Sequence, residues 1–228
     1  MPDHFESCNV SLLPDESYIS RFLCSNVISI NRSFSTCNIE CECSMPVRDS
    51  SQSEVEGLLD VARMMMVSAR TAPKSGGKDD VETLMVYGEE SDKIAEEMEK
   101  IANERNLEGF VRDARNVRDS AVVVLIGVEG TKSYGLNCGG CGFDTCAEFE
   151  KTAKRRRLDF AGPNCTMKLL DMGIALGSAV RTAMNHCADN RIMYRIGTAA
   201  MRLGMTKKSS VVMGIPISSK GKSIYFDR

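Results

Sequence analysis

Four stretches of the chain carry apolar residues at the spacing of an amphipathic helix. The first stretch begins at a capping box formed by Ser53 and Glu56 and runs to about residue 70. A second is predicted over 92–105, with Ile94, Met98 and Ile101 on its inner side. Two more helices are predicted over about 166–184 and 190–203. The expected inner face of the first helix is Val55, Leu58, Leu59, Ala62, Met65, Met66 and Ala69.

Three other stretches read as β-strands. Residues 121–127 form a continuous β-branched run, which is typical of a strand buried on both faces. Shorter apolar runs at 84–87 and 211–217 predict two further strands, and a loop over 73–80 ends the first helix. Strands and helices in this mixed order predict a layered α+β or α/β domain. The Met64–Met66 run lies on the first helix, where we expect core packing rather than metal binding.

The first part of the chain differs from the rest. Residues 1–44 are rich in Ser and Asn and show no sustained helical or strand period, which predicts a poorly ordered, dispensable extension. Met45 would make a plausible alternative start. Cys37, Cys41 and Cys43 could bind a metal, but an inert tail is the commoner explanation of such a group. We therefore expect one principal domain over 45–228.

The charge and hydropathy of the chain indicate which kinds of partner are not expected. The net charge of −2 comes from 29 basic and 31 acidic side chains mixed along the sequence, so no nucleic-acid partner is expected. The chain has no long apolar run and no secretory signal, which predicts a cytoplasmic protein without membrane contact. In a cytoplasmic chain of this size, clustered cysteines are more often metal ligands or redox groups than disulfides.

Cys138, Cys141 and Cys146 form a C-x2-C-x4-C motif, and Cys165 follows Gly162-Pro163-Asn164. Four soft thiolates, three in a tight loop and one further along the chain, suit a 4Fe–4S cluster. Glycines at 139, 140 and 142 allow the positive φ angles that turn backbone N–H groups toward sulfur. Asp144 or Thr145 is predicted to cap a short helix with Cys146 in its first turn. A redox dithiol and a structural zinc site remain alternatives.

Two neighbouring features invite a chemical interpretation. Cys187 follows His186, but neighbouring residues on a helix do not face each other, so a packed or supporting role is expected rather than a nucleophile and base. Lys151, Lys154 and 155–157 form a basic stretch. A solvated helix face is the commoner explanation for such a stretch, and docking of an acidic electron donor is the alternative.

The motif from Cys138 to Phe149 resembles the short 4Fe–4S domain found in corrinoid iron–sulfur protein subunits and in membrane electron-transport complexes. The resemblance extends over about 131–168 and implies Cys165 as the fourth ligand. The spacing to that cysteine is slightly longer here than in the domain. Over about 45–228 the chain also resembles an uncharacterised family of ferredoxin-domain-containing proteins, in which this motif lies within a nitroreductase-like body.

The likeness to nitroreductases depends on three segments. Residues 69–77 match the loop that contacts the flavin, while 176–178 and 214–228 match an alanine-glycine-rich helix and the last strand with its basic tail. The resemblance implies an α+β layered sheet with flanking helices and a homodimer. It also implies the matched FMN-binding positions, which are Lys74, Ser75, Gly76, Lys222 and Arg228.

Departures from the nitroreductase pattern predict weak FMN binding or none. Gly77-Lys78-Asp79 replaces an Asn-x-Gln-Pro portion, and no Arg-x-Ser-x-Arg element precedes the first helix. Lys74 and Lys78 are then expected to be solvated loop residues. The sequence thus predicts a 4Fe–4S protein of cytoplasmic electron transfer with an unidentified redox partner. An FMN-dependent oxidoreductase with an accessory cluster and a zinc- or cluster-stabilised binding protein are the alternatives.

Overall fold

The computed structural model describes residues 49–226, which lie within the second of the chain's two units, Val47–Arg228. The predicted extension over 1–44, its cysteines and Arg228 lie outside the described residues, and the statements made about them stay predictions. None of the helices between residues 49 and 226 is both long and apolar enough to cross a membrane.

Six helices and six strands make up this part of the chain. The helices are α1 (Ser50–Thr71), α2 (Glu89–Arg105), α3 (Glu108–Arg118), α4 (Cys146–Lys151), α5 (Thr166–Asn185) and α6 (Tyr194–Arg202). The strands are β1 (Val81–Val86), β2 (Val122–Val128), β3 (Arg155–Arg156), β4 (Ala161–Gly162), β5 (Asp189–Asn190) and β6 (Val211–Ser218). A single 3₁₀ turn, Ser75–Gly77, lies in the loop before β1.

The main sheet has four antiparallel strands in the order β1-β2-β6-β5. β2 lies between β1 and β6, and all of its residues are buried. Because successive side chains of a strand point to opposite faces, Val124 and Ile126 contribute to one hydrophobic cluster, whereas Val123 and Leu125 contribute to the other. The prediction of a central strand buried on both faces is confirmed.

Helices cover both faces of this sheet. Met65 of α1 and Ala179 of α5 belong to one core cluster, whereas Ile94 of α2, Phe110 of α3 and Ile196 of α6 belong to the other. Each of these side chains is fully buried, and burial of one large apolar side chain contributes about 1.5 to 3 kcal/mol. The predicted α+β layered fold is confirmed.

The start of α1 was predicted wrongly. The helix begins at Ser50 with Asp49 as its N-cap, so Ser53 lies inside the helix and donates its hydroxyl to the Asp49 carbonyl oxygen at 3.2 Å. The buried stripe accordingly omits Val55, which is 44% exposed. In the methionine run, Met65 is buried, Met66 packs partly against the core and Met64 is exposed.

The other predicted helix boundaries differ less from those of the structure, and one helix was not predicted. α2 begins three residues before its predicted start and buries Ile94, Met98 and Ile101 as expected. α6 begins at Tyr194 rather than at residue 190, because Asp189 and Asn190 pair with β6 as strand β5. Helix α3 was not predicted from the sequence.

Candidate cysteine site

The segment that carries the cysteines leaves the sheet and returns to the same place. Just after β2, the Gly130 carbonyl oxygen accepts a hydrogen bond from the Cys165 backbone N–H at 2.7 Å. Gly130 also donates its own N–H to the buried Ser210 hydroxyl, which donates to the Asn164 side-chain oxygen at 2.6 Å. A Cβ at Gly130 would lie 2.4 Å from that oxygen, so a larger residue would displace the Asn164 side chain. Cys165 is thereby fixed to the central sheet.

All four predicted cysteines line one pocket of about 320 Å³, its open mouth included. Cys165 is buried, Cys141 and Cys146 are half-buried and Cys138 is exposed, so the thiols extend from the protein interior to the surface. The described walls of this pocket include no His, Asp or Glu. A donor set made of thiols alone fits an iron–sulfur cluster or zinc.

Two glycines bend the loop between the cysteines. Gly139 and Gly142 have φ angles of 70° and 85°, a region that residues with a Cβ rarely adopt, and the Gly142 N–H donates to the Gly139 carbonyl oxygen at 2.9 Å. The Thr166 hydroxyl donates to the Gly140 carbonyl oxygen at 2.7 Å. This last bond ties the loop to the first residue of α5, next to Cys165.

Cys146 is held by its neighbours from two directions. Its backbone N–H donates to the Asn137 side-chain oxygen at 2.8 Å, and the Asn137 N–H lies 3.3 Å from the Cys146 sulfur. The Asn137 N–H, followed by contacts from Ser133, lowers the pKa of the Cys146 thiol below its ordinary value. As predicted, Thr145 caps α4, accepting from the Glu148 N–H at 3.2 Å. The arrangement favours the thiolate, which is the form that binds metal.

The N-terminus of α5 borders the pocket. Cys165 directly precedes the helix, and Thr166 and Met167 of its first turn line the pocket with the thiols. The N-terminal end of a helix of this length carries partial positive charge. It therefore favours an anionic group in the pocket.

A buried polar cluster that the sequence did not reveal adjoins the thiols. Tyr134 lines the pocket and donates its hydroxyl to Asp171 of α5 at 2.7 Å; Asp171, only 3% exposed, also accepts from the Ser75 hydroxyl at 2.9 Å. Burial, and then the bond to Asp171, raise the pKa of Tyr134. Lys168, 2% exposed, pairs with Asp80 at 2.8 Å. The cluster joins the loop over 73–80 to the cysteine pocket.

The positions proposed for FMN are differently engaged. The Lys74 side chain is only 5% exposed and its ammonium donates to the Ala72 carbonyl oxygen at 2.9 Å and to two further carbonyls at the end of α1, so the expectation of a solvated Lys74 was wrong. Ser75 binds Asp171 through both its hydroxyl and its backbone N–H. Gly76 is exposed with φ of 62°, and Lys222 is exposed beyond β6. Lys78 is exposed, as expected.

Two further expectations about this region were wrong. Cys187 and His186 are both exposed at the end of α5 and do not line the cysteine pocket, so neither has the packed role that was predicted. The basic stretch is not a helix face, because α4 ends at Lys151 and Arg155–Arg156 form a short strand.

Within residues 49–226, no group of three or more His, Cys, Asp or Glu side chains is arranged to hold a single metal ion. The four thiols line one pocket, but the structure does not gather them around a single point.

Solved structures similar to this chain include nitroreductases. An FMN-dependent nitroreductase from Mycobacterium smegmatis in complex with NADPH is 13% identical, with a TM-score of 0.46 over 70% of this chain and 77% of its own. A nitroreductase family protein from Clostridium novyi is 16% identical, with a TM-score of 0.40 over 77% of each chain.

Sequence relatives identify the family. Residues 161–228 match the family described as "Uncharacterized protein containing a ferredoxin domain (DUF2148)". A protein from Archaeoglobus fulgidus described as "Uncharacterized protein" is 51% identical over 173 residues, which are 76% of this chain and 92% of the relative. The chain therefore belongs to this family of ferredoxin-domain-containing proteins.

Proposed function

We propose that the protein holds a 4Fe–4S cluster through Cys138, Cys141, Cys146 and Cys165 and transfers single electrons to or from another protein. The observation that carries the proposal is that these four thiols line one pocket whose described walls include no His, Asp or Glu. Membership of a family containing a ferredoxin domain supports it. When bound, such a cluster supplies reversible one-electron transfer.

The protein's own groups would orient and stabilise the thiolates. The Asn137 N–H donates to the Cys146 sulfur, and hydrogen bonds to sulfur are one of the means by which a protein sets the potential of a cluster. The turn at Gly139 and Gly142 brings Cys138 and Cys141 to the same pocket. The backbone bond from Cys165 to Gly130 holds the fourth thiol on the rigid sheet.

Structural zinc is the alternative with the same ligands. Anaerobic purification followed by a visible spectrum and analysis for iron, sulfide, zinc and flavin separates the two. We expect about four irons and four sulfides per chain and a broad absorption that dithionite bleaches. About one zinc per chain in a colourless protein would overturn the proposal.

A flavin-dependent activity is the other alternative. No contact among the described residues favours it, because Lys74 and Ser75 are engaged within the protein. We therefore propose electron transfer without a flavin step.

Location and assembly complete the proposal. We place the protein in the cytoplasm, where free thiols stay reduced and available to iron. We also propose a homodimer formed by α1 and α5, whose exposed apolar side chains include Met64, Val67, Leu170, Ile174 and Met184. Size-exclusion chromatography with light scattering should give twice the mass of one chain. The mass of a single chain would contradict this assembly.

A further inference from the structure

Between Cys146 and Cys165 the chain forms a short projection that the cluster proposal does not use. After α4, strand β3 pairs with β4, with Arg155 opposite Gly162 and Arg156 opposite Ala161. We call residues 151–162 the basic hairpin, because they include Lys151, Lys154 and the three arginines 155–157.

Three cations of the basic hairpin have no partner within residues 49–226. The side chains of Lys151, Arg155 and Arg157 are exposed and make no ion pair or hydrogen bond with any described residue. The two other cations of the hairpin form hydrogen bonds within the protein. Lys154 donates to the Phe149 carbonyl oxygen and lies 3.4 Å from the centre of its ring, and Arg156 donates to the Met201 carbonyl oxygen at 3.1 Å.

Some exposed cations elsewhere in residues 49–226 are paired and others, such as Arg181 and Lys207, are not, so the hairpin is distinguished by three unpaired cations within the seven positions 151–157. Arg63 pairs with Asp60, Lys93 pairs with Glu90, and Lys220 lies 3.1 Å from Asp119. Their charges are thus compensated within the chain. The charges of Lys151, Arg155 and Arg157 are available to another molecule.

The basic hairpin lies close to the cysteine site along the chain on both sides. α4 begins at Cys146 and ends at Lys151, so six residues carry the chain from a thiol to the first free cation. Gly162, which pairs with Arg155, lies three residues before Cys165. The Cα atoms of Gly162 and Cys165 are therefore at most about 11 Å apart. A protein bound to the hairpin would therefore lie beside the pocket and its exposed Cys138.

One apolar side chain stands among these charges. Leu158 is 73% exposed at the turn of the hairpin, while the Asp159 carboxylate next to it is held by Arg105 at 2.6 Å. An apolar side chain surrounded by cations is typical of a protein–protein interface. In such an interface the charges steer the two proteins together, and burial of the apolar side chain stabilises the complex. Three free cations are few for a nucleic acid, where binding proteins commonly neutralise about 6 to 10 phosphates.

We propose that the basic hairpin is the docking surface for a small acidic electron-transfer protein, with Lys151, Arg155 and Arg157 facing its carboxylates and Leu158 at the centre of the contact. This inference rests on the proposed function. With a cluster held by the four cysteines, one electron would pass to it from the reduced iron–sulfur centre of the partner. The partner would be oxidised by one electron and the cluster reduced by one, with no proton or covalent bond transferred.

The test measures binding directly, using an oxidised plant-type [2Fe–2S] ferredoxin as the acidic probe and the cluster-loaded protein, by calorimetry at low salt. We expect saturable one-to-one binding that weakens at least about tenfold between about 50 and about 500 mM salt. The triple variant Lys151→Gln, Arg155→Gln, Arg157→Gln should weaken binding by about tenfold or more. Its rate of reduction by dithionite, which needs no docking, should be unchanged.

The matched control removes three exposed cations at other places, through Arg63→Gln, Lys93→Gln and Lys220→Gln. Equal weakening in control and hairpin variants would overturn the proposal, because net charge alone would then explain binding. A variant with Arg155→Lys and Arg157→Lys should bind as the parent does, which guards against loss by misfolding.

Other outcomes also decide the matter. Salt-independent binding or none, by protein that carries its full iron and sulfide, overturns the docking surface and leaves the cluster proposal intact. Binding to anionic vesicles or to RNA, lost in the hairpin variant while ferredoxin does not bind, would likewise overturn it. Absence of iron and sulfide from the protein would refute the proposed function itself.

Discussion

Asn137 shows how the single residues around the cysteines set their chemistry. It has a φ of 48°, a conformation that asparagine adopts more readily than most residues, and in that conformation it contacts both the N–H and the sulfur of Cys146. The four cysteines could be recognised from their spacing. The role of Asn137 could not, because it depends on a backbone angle and on contacts with Cys146, nine positions along the chain.

Residues that act through tertiary contacts were equally hidden in the sequence. Tyr134, Asp171 and Ser75 come from three distant segments, and only the folded chain brings them together. The sequence could match Ser75 to a flavin loop by local pattern. It held no signal that Asp171 would bind the hydroxyl and backbone of that serine.

The contacts of Lys74 lead to a prediction about flavin. An FMN molecule would have to replace the bonds of the Lys74 ammonium to the end of α1, and each charge-assisted hydrogen bond contributes about 1.5 to 3 kcal/mol. We therefore expect FMN to bind weakly or not at all, with no saturation at micromolar concentration. Titration of the cluster-loaded protein, followed by flavin fluorescence, measures this.

Lys78 provides the control for that titration, since it is exposed in the same loop. Stoichiometric FMN binding at micromolar or lower concentration, abolished by Lys74→Ala but kept by Lys78→Ala, would establish a flavin site and favour the flavoenzyme alternative.

At the scale of elements, stretches rich in apolar residues were easier to predict than stretches with few. The β-branched run of β2 and the long apolar stripe of α5 were predictable because the first is typical of a buried strand and the second of a helix packed on a core. Helix α3 has few apolar residues, and it is held by burial of Phe110, Ala114 and Val117 against α2 and α6. The hairpin of β3 and β4 is too short to show a period.

The packing of α6 on β6 leads to a prediction about stability. A Cβ at Gly197 would lie 1.8 Å from the Val212 carbonyl oxygen, a backbone atom that cannot move without distorting the sheet. Gly197→Ala should therefore lower the free energy of unfolding by at least about 2 kcal/mol. Chemical denaturation followed by circular dichroism measures the change.

Gly57→Ala on α1 is the matched control, because a Cβ there would meet nothing within 4 Å. That change should stabilise the protein by about 0.5 to 1 kcal/mol, since alanine favours a helix more than glycine does. If both substitutions had the same effect, the close contact between α6 and β6 would not be a feature of the folded protein.

At the scale of the whole molecule, residues 49–226 form a hydrophobic core on each face of the sheet. We therefore expect a protein that starts at Met45 to fold and to bind its cofactor. Thermal unfolding and iron content per chain, compared with those of the full-length protein, measure this. Aggregation, or iron lost in proportion to protein, would show that the first residues supply structure or a ligand.

The cysteine site lies in a long loop whose two ends are joined by the hydrogen bond between Gly130 and Cys165. The identity of the fourth ligand is the most direct test of the proposed cluster. We predict that Cys165→Ser abolishes or strongly degrades the electron paramagnetic resonance signal of the reduced 4Fe–4S cluster, as the same change at Cys138, Cys141 or Cys146 should. Cys187→Ser, at an exposed cysteine outside the pocket, should leave the signal intact. A full signal after Cys165→Ser, together with its loss after Cys187→Ser, would contradict the site described here.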